Sequence, residues 1–252
     1  MFRSTFLALS RNIRNYSGQL LANACMLCQQ SNPDIVCSGC RHRYLRDQAE
    51  RRCYRCALSL PGLSEVDLCA NCIKSAPAFE HTICAFDYIA PQDQLLLDLK
   101  FAAKLALANE FATLLAQAIE MQENPILPEL VTAMPLGPER LAQRGYNQAA
   151  EIARRLAAKL GLAYQAELLW RTKETQAQAS LDFRARQKNV KAAFSPKLDY
   201  LHKIKGCHIA VVDDVMTTGA SLNEIATMLK LHGATRVTAY VVARTPLSTA
   251  TF

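Results

Sequence analysis

The sequence has no long hydrophobic run. No apolar stretch reaches the roughly eighteen residues of a membrane-spanning helix, so no transmembrane segment is expected. The apolar residues among the first 24 are too interrupted for the continuous core of a secretion signal, and none of those 24 residues is acidic. A Gly-Lys-Ser/Thr ending is missing, which excludes a Walker A loop. Clustered histidines are missing too: His42, His81, His202, His208 and His232 are scattered and offer no obvious general base.

What is present is a chain of 252 residues, half of them hydrophobic, with 20% charged residues and a formal net charge of +7. That length holds one large or two modest domains with a sizeable core. The positive excess suits an anionic partner such as nucleic acid or a phosphorylated metabolite. Residues 1–24 carry Arg3, Arg11 and Arg14, with Phe2, Phe6, Leu9, Ile13, Leu20 and Leu21 near helical spacing. They read as a basic amphipathic segment expected to pack on the body, with a membrane-surface helix or a transit peptide as competing readings.

Ten cysteines are the informative count. Eight form four Cys-x-x-Cys pairs, Cys25–Cys28, Cys37–Cys40, Cys53–Cys56 and Cys69–Cys72, while Cys84 and Cys207 stand alone. A two-residue gap lets both thiolates of a pair face one tetrahedral ion, so the eight supply two closed structural Zn2+ sites. Spacing leaves open whether neighbouring pairs close in order or interleave; sequential pairing is the expectation. Residues 25–76 therefore read as a double zinc ribbon in a reducing cytoplasm rather than a disulfide scaffold. Arg41, Arg43, Arg46, Arg51, Arg52 and Arg55, with Tyr44 and Tyr54 among them, suit a single nucleic-acid strand. They suit equally a solvated face on which Asp47 and Glu50 pair some of the charge.

Ser75-Ala76-Pro77 reads as a boundary. Beyond it, a strand is expected near residues 82–88, two helical segments over 95–119, and a strand over 130–134 closed by Pro135-Leu136-Gly137-Pro138. A loop with Arg140, Arg144, Asn147 and Gln148 then leads into a helix that ends at Gly161. A further strand at 168–170 runs into a long polar stretch containing Arg171 and Arg186, which could act as a lid. Strands near 209–212 and 236–242 flank a last helix. Strands alternating with helices predict an α/β fold with a doubly wound parallel sheet and ligands at the carboxyl ends of its strands.

The stretch Ile209 to Ser221 carries the most chemistry. An apolar run reads as a buried strand expected to end in two adjacent carboxylates, Asp213 and Asp214. Thr217, Thr218, Gly219, Ala220 and Ser221 would present backbone N–H groups at a helix N-terminus, where the helix dipole favours an anion. Carboxylates just upstream can accept hydrogen bonds from vicinal ribose hydroxyls or bind through a metal. The chemistry suits a phosphorylated sugar. The whole run resembles the phosphoribosyl-pyrophosphate (PRPP) signature of type I phosphoribosyltransferases.

Other stretches agree with it. The four Cys-x-x-Cys pairs, Met134-Pro135-Leu136 with Arg144-Gly145-Tyr146-Asn147-Gln148, the series Arg171, Thr175, Gln178, Leu181, Arg186, Asn189 and Phe194, and the Asp-Asp loop occur in this order in the ComF family. From about Cys25 to Arg244 the chain resembles a ComF/GntX-type protein, a zinc ribbon joined to a phosphoribosyltransferase-like domain, here 77–252. The resemblance implies a bacterial, cytoplasmic protein associated with natural transformation or use of external DNA. By it, Asp213 and Asp214 hold the ribose hydroxyls of Mg2+-bound PRPP and residues 217–221 hold its 5′-phosphate. Met134 and Pro135 fall in the pyrophosphate loop, and Arg171 and Arg186 in the flexible loop. Charge and position add Lys100, Arg140 and Arg144 as candidate pyrophosphate contacts. Phosphoribosyl transfer to an unknown acceptor is one implied activity. The alternative is a non-catalytic factor that handles single-stranded DNA with the DNA-uptake machinery and uses the pocket as a sensor or phosphate site.

Overall fold

The computed structural model describes residues 24–46, 51–60, 66–172 and 193–247. Residues 1–23, Asp47, Glu50 and Arg186 lie outside them. The chain divides into two compact units, Met1–Tyr44 and Leu45–Phe252, so the division falls between the two four-cysteine groups. No described helix is long and apolar enough to cross a membrane.

In the smaller unit, an antiparallel bridge between Ala24 and Ser31 closes the Cys25–Cys28 turn, and helix α1 (Ser38–Tyr44) starts just after Cys37. The larger unit repeats the arrangement. A bridge between Arg52 and Ser59 closes the Cys53–Cys56 turn, and α2 (Ala70–Lys74) starts just after Cys69.

The rest of the larger unit is built on strands β1 (His81–Asp87), β2 (Leu130–Ala133), β3 (Ala163–Tyr164), β6 (His208–Met216) and β7 (Arg236–Arg244). They form one sheet in the order β1-β7-β6-β2-β3, every pairing parallel. Parallel strands need crossovers, and the helices supply them: α3 (Asp93–Phe101), α4 (Ala106–Glu120), α5 (Pro138–Arg144), α6 (Gln148–Leu160) and α7 (Ala220–Leu231). Successive strand residues point to opposite faces. Ile209 and Val211 of β6, with Val237, Ala239 and Val241 of β7, join Leu222, Ile225 and Leu229 of α7 in one core. Ala210, Val212, Tyr240 and Val242 are also buried, and α4 and α6 pack on the sheet. Cover on both faces is why the central strands read as unbroken apolar runs.

Helix boundaries follow their residues. Asn147 caps α6, its Oδ1 accepting from the N–H groups of Ala149 (3.0 Å) and Ala150 (3.4 Å), and Gly161 ends the helix in the left-handed conformation. Ile152, Ala153 and Leu156 form its buried stripe.

Three expectations change. The strand near 168–170, observed as β4 (Leu169–Arg171), does not join the parallel sheet. It pairs antiparallel with β5 (Phe194–Pro196) as a separate ribbon, and Leu168, Leu169 and Phe194 bury against the α7 core. The edge of the parallel sheet beside β2 is taken instead by β3, only two residues long. Second, β6 does not stop at the carboxylates. It continues to Met216 because β7 is long enough to pair Val215 with Ala243 and Met216 with Arg244. Third, part of the loop expected after Gly137 is helix α5, with Pro138 in its first turn, where a missing N–H costs nothing.

Candidate functional site

Each four-cysteine group closes in order: Cys25, Cys28, Cys37 and Cys40 in one, Cys53, Cys56, Cys69 and Cys72 in the other, the sulfurs of each lying within 4.8 Å of one another. Cys28 and Cys37 Sγ are 3.8 Å apart, and Cys56 and Cys69 Sγ 3.6 Å. Four thiolates on a tetrahedral ion with Zn–S near 2.3 Å have sulfurs about 3.8 Å apart, so both donor sets fit Zn2+ with no open position. The turns are near copies. Cys25 N–H donates to the Gln30 carbonyl and Cys53 N–H to the Leu58 carbonyl, both at 2.8 Å, with Gln29 (φ 62°) and Ala57 (φ 55°) left-handed after the second cysteine.

The electrostatics call for a cation. Burial opposes ionisation of Cys25, but hydrogen bonds from the backbone at Cys28, Cys37 and Leu27 outweigh it and bring the thiol down to about 6. Burial and neighbouring sulfurs push Cys40 up to about 12 and drive Cys72 upward. Burial and the charge of Cys53 and Cys69 push Cys56 up to about 11, against a hydrogen bond from Leu58. Such groups do not ionise together unless a cation sits among them.

The second feature lies at the carboxyl end of β6. After Met216 the chain turns through Thr217 and Thr218, and Gly219 (φ 78°) starts α7. Thr218 Oγ1 accepts from Ala220 N–H at 3.3 Å, and the Gly219 carbonyl accepts from Asn223 N–H at 2.8 Å. A cavity of about 530 Å3 is lined by Asp213, Asp214, Thr217 and Ser221 on one side. Met134, Pro135, Lys100, Arg140, Arg144 and Arg171 line it from the others. Ten residues singled out in the sequence, drawn from five segments, thus meet around one space. Thr218, Gly219 and Ala220 instead line a neighbouring cavity of about 620 Å3 beside Cys56, Cys69 and Cys72, with Thr217 common to both.

The candidate cations differ in what they already hold. Lys100 Nζ is 3.0 Å from Asp214 Oδ2, an ion pair whose geometry makes no hydrogen bond to that buried oxygen. Arg144 donates to Gln148 Oε1 at 2.5 Å and lies 5.2 Å from the ring centre of Phe101, which is 73% exposed. Arg171 stands 5.4 Å from the ring centre of Phe194. Asn147, expected as part of an anion-friendly loop, is a helix cap whose Nδ2 also donates to the Met134 carbonyl at 2.9 Å. It fastens the start of α6 to the turn after β2.

Asp213 is hemmed in by protein atoms, though its side chain reaches the cavity. Burial first, then the Asp214 carboxylate, push it up to about 8, against the Asp214 N–H (2.9 Å from Asp213 Oδ1) and the Lys100 ammonium. Two crowded carboxylates beside one lysine therefore keep a proton at neutral pH. A divalent cation or hydroxyl donors at this position would relieve the same repulsion.

The arginine-rich stretch is partly spent on the fold. Arg51 donates to Asp67 Oδ1 at 2.5 Å, Arg52 to Asp87 Oδ1 at 2.9 Å and Arg55 to the Pro77 carbonyl at 3.4 Å. Arg244 was not singled out in the sequence. It is buried at the end of β7, and only its position beside β6 in the register marks it.

The family model described as "Phosphoribosyl transferase domain" matches residues 137–250. The chain is 32% identical over 213 residues to the DNA utilization protein YhgH of Salmonella typhimurium, covering 83% of this chain and 90% of that one. It is 30% identical over 215 residues to competence protein F of Haemophilus influenzae, with the same coverage. Among solved structures, adenine phosphoribosyltransferase from Thermoanaerobacter pseudethanolicus is 18% identical with a TM-score of 0.36, covering 60% of this chain and 73% of that one. With identity of this extent over nine-tenths of curated competence and DNA-utilization proteins, and a phosphoribosyl transferase domain behind two four-cysteine groups, the chain belongs to the ComF family.

Proposed function

We propose that the protein binds PRPP as its Mg2+ complex and serves DNA utilization or uptake in the cytoplasm. The observation that carries this reading is the convergence of Asp213, Asp214, Thr217 and Ser221 with Lys100, Arg140, Arg144 and Arg171 on one cavity. Asp213 and Asp214 accept from the ribose hydroxyls, which supply the protons that the crowded carboxylates favour. Thr217 and Ser221, which line this cavity, take the 5′-phosphate at the start of α7, with Thr218 to Ala220 forming the turn between them on the side of the neighbouring cavity. The turn at Met134 and Pro135, with Arg140 and Arg144 of α5, faces the pyrophosphate. Mg2+, when bound, supplies charge neutralisation on that pyrophosphate. The names of the curated relatives support the DNA context.

Transfer of phosphoribose is the activity this site suits. The bond between the anomeric carbon and the pyrophosphate oxygen breaks, its electron pair leaves with pyrophosphate, and an acceptor lone pair forms the new bond. The acceptor proton passes to water. Arg140 and Arg144 stabilise the charge gathering on the leaving group. Zn2+, held by the two cysteine groups, is structural. The test is calorimetric titration with Mg-PRPP on wild type and Asp213→Ala/Asp214→Ala, followed by pyrophosphate release with nucleobases and oligonucleotides. Heat with wild type alone supports the site; no heat with wild type removes it.

A second reading, a non-catalytic factor that handles single strands, is favoured by a specific surface. Tyr54 is 46% exposed, stacks on His81 with ring centres 4.0 Å apart, and accepts from Arg236 at 3.0 Å. Burial, and then the charge of Arg236, lower His81 to about 4, so the ring is neutral at pH 7. An aromatic ring with a guanidinium beside it is a base-stacking platform. Tyr54→Ala should weaken oligodeoxynucleotide binding in fluorescence anisotropy; unchanged affinity removes this reading.

A further inference from the structure

Arg244 joins two features that the sequence keeps far apart. It is 6% exposed, and among the described residues its hydrogen bonds all go to carbonyl oxygens. Its Nε–H donates to the Cys56 carbonyl at 2.8 Å, within the knuckle of the second cysteine group. Its Nη1 donates to the carbonyls of Met216 (3.1 Å), Thr217 (2.6 Å) and Thr245 (2.5 Å). The Met216 carbonyl also accepts from Thr245 N–H at 3.0 Å. One guanidinium thus holds the metal knuckle on one side and the opening of the anion loop on the other.

The peptide geometry gives this contact a consequence. A trans peptide is planar, with its N–H directed opposite to its C=O. Turning the carbonyls of Met216 and Thr217 onto Arg244 therefore turns the N–H groups of Thr217 and Thr218 away from it. Neither N–H has a backbone carbonyl partner among the described residues, and both point to the side of the loop away from Arg244. The arginine also brings a positive charge to the base of the loop, and no carboxylate of a described residue accepts from it. A lysine at this place keeps the charge but not the fork that spans several carbonyls.

The knuckle has a second strut. Arg52 Nη1 donates to the Ala57 carbonyl and to Asp87 Oδ1, both at 2.9 Å, tying the turn to the end of β1. Loss of Arg244 therefore leaves the knuckle attached to the sheet.

We propose that Arg244 is a positioning residue that couples the metal state of the Cys53, Cys56, Cys69 and Cys72 group to the amide geometry of the PRPP loop. With four thiolates closed on one ion, the Cys56 carbonyl is fixed and Arg244 is held against Met216 and Thr217. With the ion withdrawn, nothing holds the four sulfurs on one centre, Arg244 loses an anchor and the loop amides lose their common direction. The PRPP part of this proposal rests on the function proposed above; the coupling itself does not.

The test is hydrogen–deuterium exchange of residues 214–220 in the full-length, zinc-loaded protein, with β6 residues 208–212 as the reference for global opening. In Arg244→Lys, zinc content and the exchange of 208–212 should match wild type. Exchange should rise at least about ten-fold at the hydrogen-bonded amides of this segment, Asp214 and Ala220 among them, and Mg-PRPP affinity should fall about ten-fold, equivalent to roughly 1.4 kcal/mol. Chelating zinc from wild type should speed the loop similarly, and should add little in Arg244→Lys because the link is already broken. In cobalt-loaded wild type, Mg-PRPP should shift the thiolate–cobalt absorption, and in Arg244→Lys it should not. Unchanged loop exchange in Arg244→Lys, or additive effects of chelation and substitution, overturns the proposal. If the loop loosens as expected while wild type takes up no Mg-PRPP, the coupling stands and the PRPP reading falls.

Discussion

Alanine at Gly219 tests the loop geometry through two separable effects. Gly219 sits at φ 78°, and a Cβ there would lie 2.5 Å from Met216 Cε and 3.6 Å from Phe79 Cζ. Gly206 has nearly the same backbone, φ 80°, with nothing within 4 Å of its Cβ position. Left-handed backbone costs a non-glycine residue about 1–2 kcal/mol, so Gly206→Ala should lose about that much. Gly219→Ala pays the same and must also displace the methyl of Met216, which is 2% exposed. Crowding a packed site in this way costs about 1–3 kcal/mol, less where a flexible end can move aside. The expected totals are about 2–5 kcal/mol for Gly219→Ala, toward the low end because the atom met is the far end of the flexible Met216 side chain, against about 1–2 for Gly206→Ala. At roughly 2–4 °C per kcal/mol for a chain of this length, scanning calorimetry of the zinc-loaded protein resolves the two. A cycle with Met216→Ala should return a coupling of at least about 1 kcal/mol, since a shortened side chain vacates the contested space. Mg-PRPP affinity should fall in Gly219→Ala and hold in Gly206→Ala. Equal destabilisation of the two glycine variants, or an additive cycle, would refute the close approach of Met216 and the loop path drawn from it.

The carboxylate pair predicts a pH dependence. Asp213 is raised to about 8, whereas a free aspartate releases its proton near pH 4, so the folded protein binds the extra proton between those values and stability falls as pH rises through that window. Asp213→Asn should melt above wild type at pH 8, with the gap closing toward pH 4; a gap independent of pH contradicts the assignment. Lys100→Met leaves Asp214 without its 3.0 Å ion-pair partner in a site where Asp214 is 7% exposed. It should cost about 3–5 kcal/mol at pH 8 and less at pH 5, read by thermal unfolding. Metal analysis should return two zinc ions per chain. Cys28→Ser should reduce this to one while the other group keeps its ion, and a wild-type value well below two removes the double-ribbon assignment.

Local chemistry was the legible part of this sequence. The Cys-x-x-Cys spacing specified the four knuckles, because two residues between thiols already fix a knuckle whatever surrounds it; which knuckles share an ion is settled by the fold, which groups neighbouring pairs. The Asp213–Ser221 run specified strand, turn and helix, because carboxylates, a left-handed glycine and an apolar stripe each demand a local conformation. Asn147 and Gly161 marked the ends of α6 for the same reason. What stayed hidden was non-local. Nothing in Leu169–Arg171 distinguishes a parallel sheet strand from one that pairs with Phe194–Pro196 more than twenty residues away. Asp213 and Asp214 read as a strand end because pairing with β7 out to Arg244 is a property of the partner. Lys100 read only as a candidate pyrophosphate contact because its carboxylate partner is over a hundred residues distant. Arg244 carried no motif at all; its four carbonyl partners come from three segments that meet only in the fold.

On the function proposed above, the acid pair and the loop after it form one PRPP site. Amide NMR of the isotopically labelled, zinc-loaded protein titrated with Mg-PRPP tests it most directly. Saturable shifts are expected in the amides of Asp213, Asp214 and Thr217 to Ser221, and they should be lost in Asp213→Ala/Asp214→Ala. Saturable shifts confined to residues away from this loop, or no shifts at millimolar Mg-PRPP, would contradict it.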